Sequence, residues 1–449
     1  MMFSTFAEQR HFIYPTKDTY SGVILNGNMV AHAPDGLAQF LLEKTSEQRY
    51  IIDPLTHAFQ HDPSLVTDRE GNPKVSVQKL ATEFGEPVVT MVGKRPLNPS
   101  DLSDADVFRA FVDGCLAFQE QQLADRMKSS KNVKYMPARD WATPYAVVAP
   151  YFFMKETTVD QWLERNVQAV KMALERKSAQ KRTPPTKLFG AVVVSQGVIL
   201  NRSKRRQIAS ALAQYDLDGL LLWVDDLNEH EAGSSELSGL LELARALRDG
   251  NANSREVINL HGSYFSVLAT GKAFGLPPFT GVAHGPEFGE YRSVIPVGGG
   301  IPIARYYVPR LHSRLRYREA VTMFRAAGYL NDAGSFHKNV CNCAECRATI
   351  ADNAQNFTLF GVSKAKPVKR GAGLVRMEYP ITETKIRCLR HYLQNKRREY
   401  EFALGANKET ILKELEQGKR SFEGVVGLDG TAHLDLWPRV LGGEMGQDT

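Results

Sequence analysis

Short runs of apolar and β-branched residues recur along the chain, each closed by polar or glycine-containing sequence. Residues 50–52, 145–149, 188–194, 219–224, 257–260 and 301–308 have the form expected of buried strands. Between several of them the apolar period lengthens. Trp162, Val167, Val170 and Leu174 mark the buried side of a helix expected over 159–176. Residues 203–215 and 234–247 repeat that pattern, with Ser234 placed to cap the last helix. Strands alternating with helices predict βαβ units on a parallel sheet. The spacing suits an α/β fold with a (β/α)8 barrel of the TIM type over residues 1–330 and a C-terminal module over 331–449. A doubly wound sheet shares this local signature, and in both architectures functional groups belong just beyond the C-terminal ends of strands.

Three stretches break the alternation. Residues 128–139 and 178–187 read as basic loops, and 356–380 holds Lys364, Lys366, Lys369 and Arg370. The glycines of 297–300 lack the Gly-Lys-Ser/Thr ending of a phosphate loop and precede a strand, so they read as a turn. No repeat of fixed period and no extended low-complexity tract is present.

Composition narrows the class. The chain has 449 residues, 43% hydrophobic and 24% charged, which excludes a disordered or collagen-like protein. No apolar run reaches the roughly 18 residues that span a bilayer. The first ten residues include Glu8 and lack an apolar stretch, so no signal peptide is expected. Five cysteines, an odd and sparse set, point to a reducing cytoplasm rather than a disulfide framework.

Three of those cysteines, Cys341, Cys343 and Cys346, fall within six residues. Three soft thiolates on one tight loop suit a tetrahedral metal, and zinc commonly takes a Cys3His set. The fourth ligand is expected on the helical stretch 385–400, where His391 is favoured over Cys388 one turn earlier. With all four positions filled by protein, such a zinc would be structural rather than catalytic.

Cys-x-Cys-x-x-Cys followed by His391-Tyr392-Leu393 on a helix resembles the tRNA-guanine transglycosylase superfamily. Other islands agree in order. Asp53-Pro54-Leu55-Thr56-His57-Ala58-Phe59-Gln60 is similar to that family's Asp-Ser-Gly-Gly-Phe-Gln segment. Leu188-Phe189-Gly190-Ala191-Val192-Val193, running on to Gln196-Gly197 and Arg205, is similar to its Leu-Phe-Gly-Ile-Val-Gln-Gly segment. Asp216-Leu217-Asp218-Gly219-Leu220, leading to Asp225-Asp226-Leu227, parallels the next strand. Departures are also clear. The paired glycines after Asp53 are gone, and the interval from Cys346 to His391 is longer than the family's. Residues 280–292, where the family carries its nucleophilic Asp, contain no Asp. This divergence resembles the branch that places 7-deazaguanines in DNA.

The resemblance implies base exchange on a nucleoside, in which a carboxylate attacks C1′ and a second acid handles the purine proton. Asp53, directly after a strand, is the expected acid/base. Glu290 and then Glu287 are the expected nucleophiles, with Asp225 and Asp226 as rivals or as partners of the purine edge. Gln196 can donate to and accept from a guanine-like edge, and Tyr264 can stack on a purine.

Charge adds a partner. The chain's net charge is +6, yet residues 364–400 alone hold eleven basic residues against three acids. That cluster beside the cysteines predicts a phosphate-binding surface. The expectation is therefore a cytoplasmic, zinc-containing barrel that replaces guanine in DNA with a 7-deazaguanine of the 7-cyano type, with no membrane association. An accessory protein that opens the duplex is a further expected partner. The same reaction on tRNA is the first alternative, and a catalytically silent nucleic-acid-binding barrel is the second.

Overall fold

The computed structural model describes residues 1–3, 19–44, 49–129, 142–180, 186–250, 255–285, 290–295, 303–370, 373–426 and 430–444. Eight strands form one sheet: β1 (Met2–Phe3), β2 (Gly22–Asn26), β3 (Arg49–Asp53), β4 (Ala146–Val148), β5 (Lys187–Val194), β6 (Gly219–Val224), β7 (Glu256–Leu260) and β8 (Gly281–Ala283). They pair in sequence order, and every pairing is parallel. The Met2 amide donates to the His284 carbonyl at 3.0 Å, which brings the first strand against the residue that follows the last. Seven strands, β2 to β8, thus make the wall of a nearly closed barrel, and two-residue β1 lies at its seam.

Side-chain alternation decides which residues see the barrel interior. Ile24, Ile51, Val148, Phe189, Ala191, Val193, Leu221 and Trp223 share one inner cluster. Their neighbours Val23, Leu25, Ile52, Val147, Val192, Leu220 and Leu222 belong to the core beneath the surrounding helices. This two-sided burial is why the strands read as continuous apolar runs. Helices Val159–Ala179, Arg202–Ala213 and Ser234–Asp249 follow β4, β5 and β6, as the lengthened apolar period predicts. Asn201 caps the second by accepting from the Lys204 amide. The cap of the third is Gly233, with no side-chain hydrogen bond, so Ser234 is its first helical residue rather than its cap.

The regular repeat of a (β/α)8 barrel is met from β4 to β7 and departed from elsewhere. The β3–β4 connection holds several helices, including Val75–Phe84 and Ala105–Gln121, and only the five-residue helix Tyr264–Leu268 links β7 to β8 among the described residues. The segment 301–308 is not a barrel strand. Its described part, β9 (Arg305–Val308), pairs antiparallel with β10 (Ser313–Arg316), and its buried Tyr306 and Tyr307 face the C-terminal module. The glycine run at 298–300 lies outside the described residues, as do most of the basic loop 128–139 and residues 181–185.

The C-terminal module follows with short helices, a hairpin of β11 (Ser363–Arg370) and β12 (Gly373–Pro380), and helices Thr382–Gly405, Lys408–Val426 and Ala432–Leu441. Its packing runs across residue 330, since Phe324 meets Phe336, Phe357 and Phe422. Among the described residues, no helix is long and apolar enough to cross a membrane.

Candidate metal centre and barrel-mouth site

Cys341 and Cys343 lie on the turn that leads into helix Ala344–Ile350, and Cys346 sits in its first turn. The Cys343 sulfur caps this helix by accepting from the Cys346 amide at 3.3 Å, and the Cys341 sulfur accepts from the Cys343 amide at 3.4 Å. Helix Thr382–Gly405 brings His391 opposite. Its Nδ1 lies 3.7, 3.3 and 3.2 Å from the sulfurs of Cys341, Cys343 and Cys346. A tetrahedral zinc with Zn–S of about 2.3 Å and Zn–N of about 2.0 Å would separate sulfur from nitrogen by about 3.5 Å. All four side chains are buried, and their ligand atoms lie within 4.8 Å of one another.

Outer partners complete the arrangement. His391 Nε2 meets the Tyr307 carbonyl at 2.6 Å, so Nε2 carries the proton and Nδ1 keeps its lone pair for the sulfur side. The Tyr306 ring stacks on the imidazole with centroids 4.2 Å apart, and its hydroxyl lies 3.2 Å from the Cys346 sulfur. Burial works to lower the His391 pKa, yet Cys341 and Cys343 raise it to about 10. The pocket therefore favours positive charge, which a metal ion would supply. Cys388 stands apart, its thiol aimed at the Phe360 carbonyl at 3.5 Å.

The second site lies at the C-terminal mouth of the barrel. Asp53 ends β3 on the inward side, following Ile51, and is 2% exposed. Its Oδ1 accepts from the Tyr151 hydroxyl at 2.5 Å and from the Leu55 amide at 3.1 Å. Burial raises the Asp53 pKa, while Tyr151, Leu55 and the charge of Arg292 pull it back. Thr56 hydrogen-bonds both backbone groups of Tyr151, and Gln60 does the same for Phe153. The loop after β3 thereby holds the segment after β4. His57 Nδ1 lies 3.2 Å from the Tyr151 oxygen. Tyrosine has one proton, and with Asp53 ionised that proton goes to the carboxylate, so His57 is the donor. Burial, His61 and Arg292 keep His57 well below its usual pKa.

Trp223 and Asp225 project from the end of β6 on the same inward side. Trp223 Nε1 and the Asp226 amide both donate to the Arg292 carbonyl, at 3.1 and 3.0 Å. Asp225 accepts from the Val294 amide at 2.7 Å. The Gln196 amide donates to the carbonyls of Asp225 and Asp226 at 3.2 and 3.0 Å. Leu55, Asp226 and His261, each just past a strand end, have φ of 54°, 52° and 61°. Left-handed backbone in residues with a Cβ costs about 1–3 kcal/mol each and clusters at functional sites.

Asp53, Gln196, Asp225 and Asp226 thus converge on one end of the barrel. Glu290 takes another course. It is 7% exposed, and its Oε1 lies 2.7 Å from Lys396 Nζ and accepts from the Tyr392 hydroxyl at 3.2 Å. Lys396 also pairs with Glu399 at 2.9 Å, and Glu399 with His312 at 2.6 Å. Glu287 lies outside the described residues. Tyr264 offers no face to a purine: it is 1% exposed, and its ring stacks on His312 with centroids 3.7 Å apart. Tyr151 and His57 are mouth residues that sequence reasoning missed. The Tyr151-Phe152-Phe153 run has the look of core, and only its position just past β4 singles out the tyrosine.

His312 makes this buried network sensitive to pH. Burial opposes its charge, but Glu414 and Glu399 hold the imidazolium and push its pKa up to about 9 from 6.5. The folded pKa is the higher one, so the stabilisation is complete below pH 6.5 and fades as pH rises through 9. The full effect is about 3 kcal/mol. Thermal unfolding followed from pH 6 to about 9.5 should show this loss. In His312→Gln the alkaline decline should be markedly shallower.

No protein-family model matches this chain, and no curated protein does.

Proposed function

We propose that the chain is a base-exchange transglycosylase that replaces guanine in DNA with a 7-deazaguanine of the 7-cyano type. In this reading the nearly closed barrel is a variant (β/α)8 barrel, and zinc fills the Cys3His site in a structural role. The observation that carries the reading is Asp53, a buried carboxyl at the barrel mouth with its pKa raised by burial and its Oδ1 held by Tyr151. That is the environment of an acid/base that exchanges a proton with a purine.

The reaction needs a second carboxylate. Its attack on C1′ breaks the N-glycosidic bond and leaves a covalent sugar ester, while the departing guanine takes a proton from Asp53. The incoming base returns its proton to Asp53, attacks C1′ and frees the carboxylate, with net retention. Glu290 is poorly suited to attack, because its charge is spent on Lys396 within a buried network. Asp225 suits the role better. It is half-buried at the mouth, and the Val294 amide fixes one of its oxygens. Gln196, whose amide protons are engaged, would offer its carbonyl oxygen to the base.

Incubation of the protein with labelled guanine or 7-deazaguanine and either DNA or tRNA tests the proposal. Incorporation into DNA is the expected result. Incorporation only into tRNA would replace the polymer, and no exchange into either would sink the reading. Asp53→Asn should lower exchange by about 10²–10⁴-fold with metal content and unfolding temperature unchanged. A trapped adduct should map to Asp225.

The second reading, a silent nucleic-acid-binding barrel, is favoured by one observation: the carboxylate in the family's nucleophile segment is neutralised by a buried lysine. Binding without exchange would select it.

A further inference from the structure

Strands β11 and β12 form a hairpin of a particular kind. They pair over eight residues each, from Ser363↔Pro380 to Arg370↔Gly373, in a sheet that contains no other strand among the described residues. Residues 363–367 and 373–376 are all exposed, so both faces of the ribbon stand clear of the body. An unsupported two-stranded hairpin is marginally stable, and this one is held to the body by the Arg318–Glu378 pair and at its root. There the Ile381 amide donates to the Val362 carbonyl, and the Thr384 hydroxyl to the carbonyls of Val362 and Leu359. Thr384 is two turns from His391 on the same helix, so the metal module fixes where the ribbon points.

The ribbon's chemistry is one-sided in charge. Between 363 and 380 it carries Lys364, Lys366, Lys369, Arg370 and Arg376 against Glu378, and Glu378 is paired with Arg318 at 3.4 Å. The register places Lys364 and Lys366 on one face, with Tyr379 and Met377 opposite them, and Arg376 on the other face opposite Pro367. Near the tip, Leu374 is 76% exposed. Lys366 lies over the Tyr379 ring at 5.8 Å, but folding gains little from an exposed leucine and exposed cations on both faces. A polyanion with a groove would engage both.

We infer that the β11–β12 ribbon is an arm that lies along a groove of duplex DNA, with Lys364, Lys366 and Arg376 on the flanking phosphates. Eight residues at about 3.4 Å each make a ribbon about 27 Å long, most of one turn of B-form DNA. The B-form major groove, about 12 Å wide, admits a two-stranded ribbon. The deep, narrow major groove of A-form RNA does not. Cations on opposite faces of one ribbon can reach both walls of such a groove. The arm thus deepens the base-exchange reading, on which its role in catalysis rests, by selecting DNA over tRNA as the polymer.

The test is binding of the full-length protein to a DNA duplex, an RNA duplex of equal length and the single DNA strand, read by fluorescence anisotropy across a salt series. The variant is Lys364→Ala/Lys366→Ala/Arg376→Ala. These side chains are exposed on a ribbon that packs on itself, so metal content and unfolding temperature should match wild type. The wild type should prefer the DNA duplex. The variant should bind it at least about tenfold more weakly near 100 mM salt, and its slope of log K against log salt should fall by about 2–3. Unchanged affinity and slope would overturn the inference. So would an equal loss on duplex RNA, or competition by poly-glutamate as effective as that by duplex DNA.

The outcomes for the two readings are separable. Ribbon-dependent DNA binding without base exchange would sink the transglycosylase and keep the arm. Exchange that survives the triple substitution at unchanged KM would do the reverse.

Discussion

Cys343→Ala is expected to abolish metal binding at the Cys3His cluster and unfold much of the C-terminal module. The argument is local first. Cys343 is fully buried, faces His391 Nδ1 at 3.3 Å and caps the helix Ala344–Ile350 through its sulfur. Deletion of the thiol removes a ligand and a cap together. It also leaves His391, Cys341 and Cys346 buried around a space that favours positive charge. Apparent binding energies of structural zinc are about 10–16 kcal/mol, larger than the whole stability of most domains. His391 lies on the helix that also carries Lys396, so loss of the metal frees that helix from one of its polar anchors.

Wild-type protein should hold one zinc per chain by elemental analysis. Chelation or Cys343→Ala should bring rapid proteolysis between about residues 330 and 430. Cys388→Ser is the control and should keep its metal, because that thiol points to the Phe360 carbonyl instead. Full metal content in Cys343→Ala would refute the site.

The metal set was legible in the sequence because its signal is local. Three cysteines in six residues have few alternatives, and a histidine on a strongly helical stretch can be aimed by the helix itself. The barrel wall was legible for a similar reason: strands buried on both faces leave unbroken apolar runs at β3 to β7. Where the wall is short the signal fails. Gly281–Ala283 is three residues long, too short for an apolar run to stand out, and the five-residue Gly22–Asn26 is also absent from the expected strands, whereas 301–308 has the apolar run and takes a different partner. Charge misled in the same way. The basic run 364–400 reads as one surface, but Lys396 within it is almost fully buried between two glutamates. Arg397 pairs with Glu401, and Arg398 donates to Asn342. Only the hairpin portion is displayed on both faces of a free ribbon. Burial and pairing across a hundred residues cannot be read from charge counts, and the Lys396–Glu290 contact is of that kind.

Lys396→Met should be the most damaging substitution outside the metal site. The ammonium is about 2% exposed and lies 2.7 Å from Glu290 and 2.9 Å from Glu399, each 7% exposed. Burial alone would raise both carboxyl pKa values, but Lys396 together with other neighbours holds them below the usual range. Removing one partner of a buried pair costs about 3–5 kcal/mol, because the remaining charge is stranded. Here Glu290 is stranded and Glu399 is left to His312 at 2.6 Å, and both lie between elements that close the barrel. Glu290 follows β8, while Tyr392 and Tyr400, on the same helix as Lys396, bond His284 and the Val282 carbonyl at 3.2 and 2.8 Å.

The loss should therefore be cooperative, with barrel and C-terminal helices melting together at a lower temperature. The sign of the pH response follows. Buried and without its lysine, Glu290 would take up a proton at mildly acidic pH, so the variant's deficit should narrow on acidification while the wild type is little affected. Lys396→Met/Glu290→Gln removes the stranded charge with its partner, leaves Glu399 to His312 and should recover a large part of the stability, since an intact buried pair is worth little more than a neutral replacement. Calorimetric unfolding of the three proteins decides the matter. A Lys396→Met melting curve superimposable on wild type would show that the network does not join the helix to the barrel.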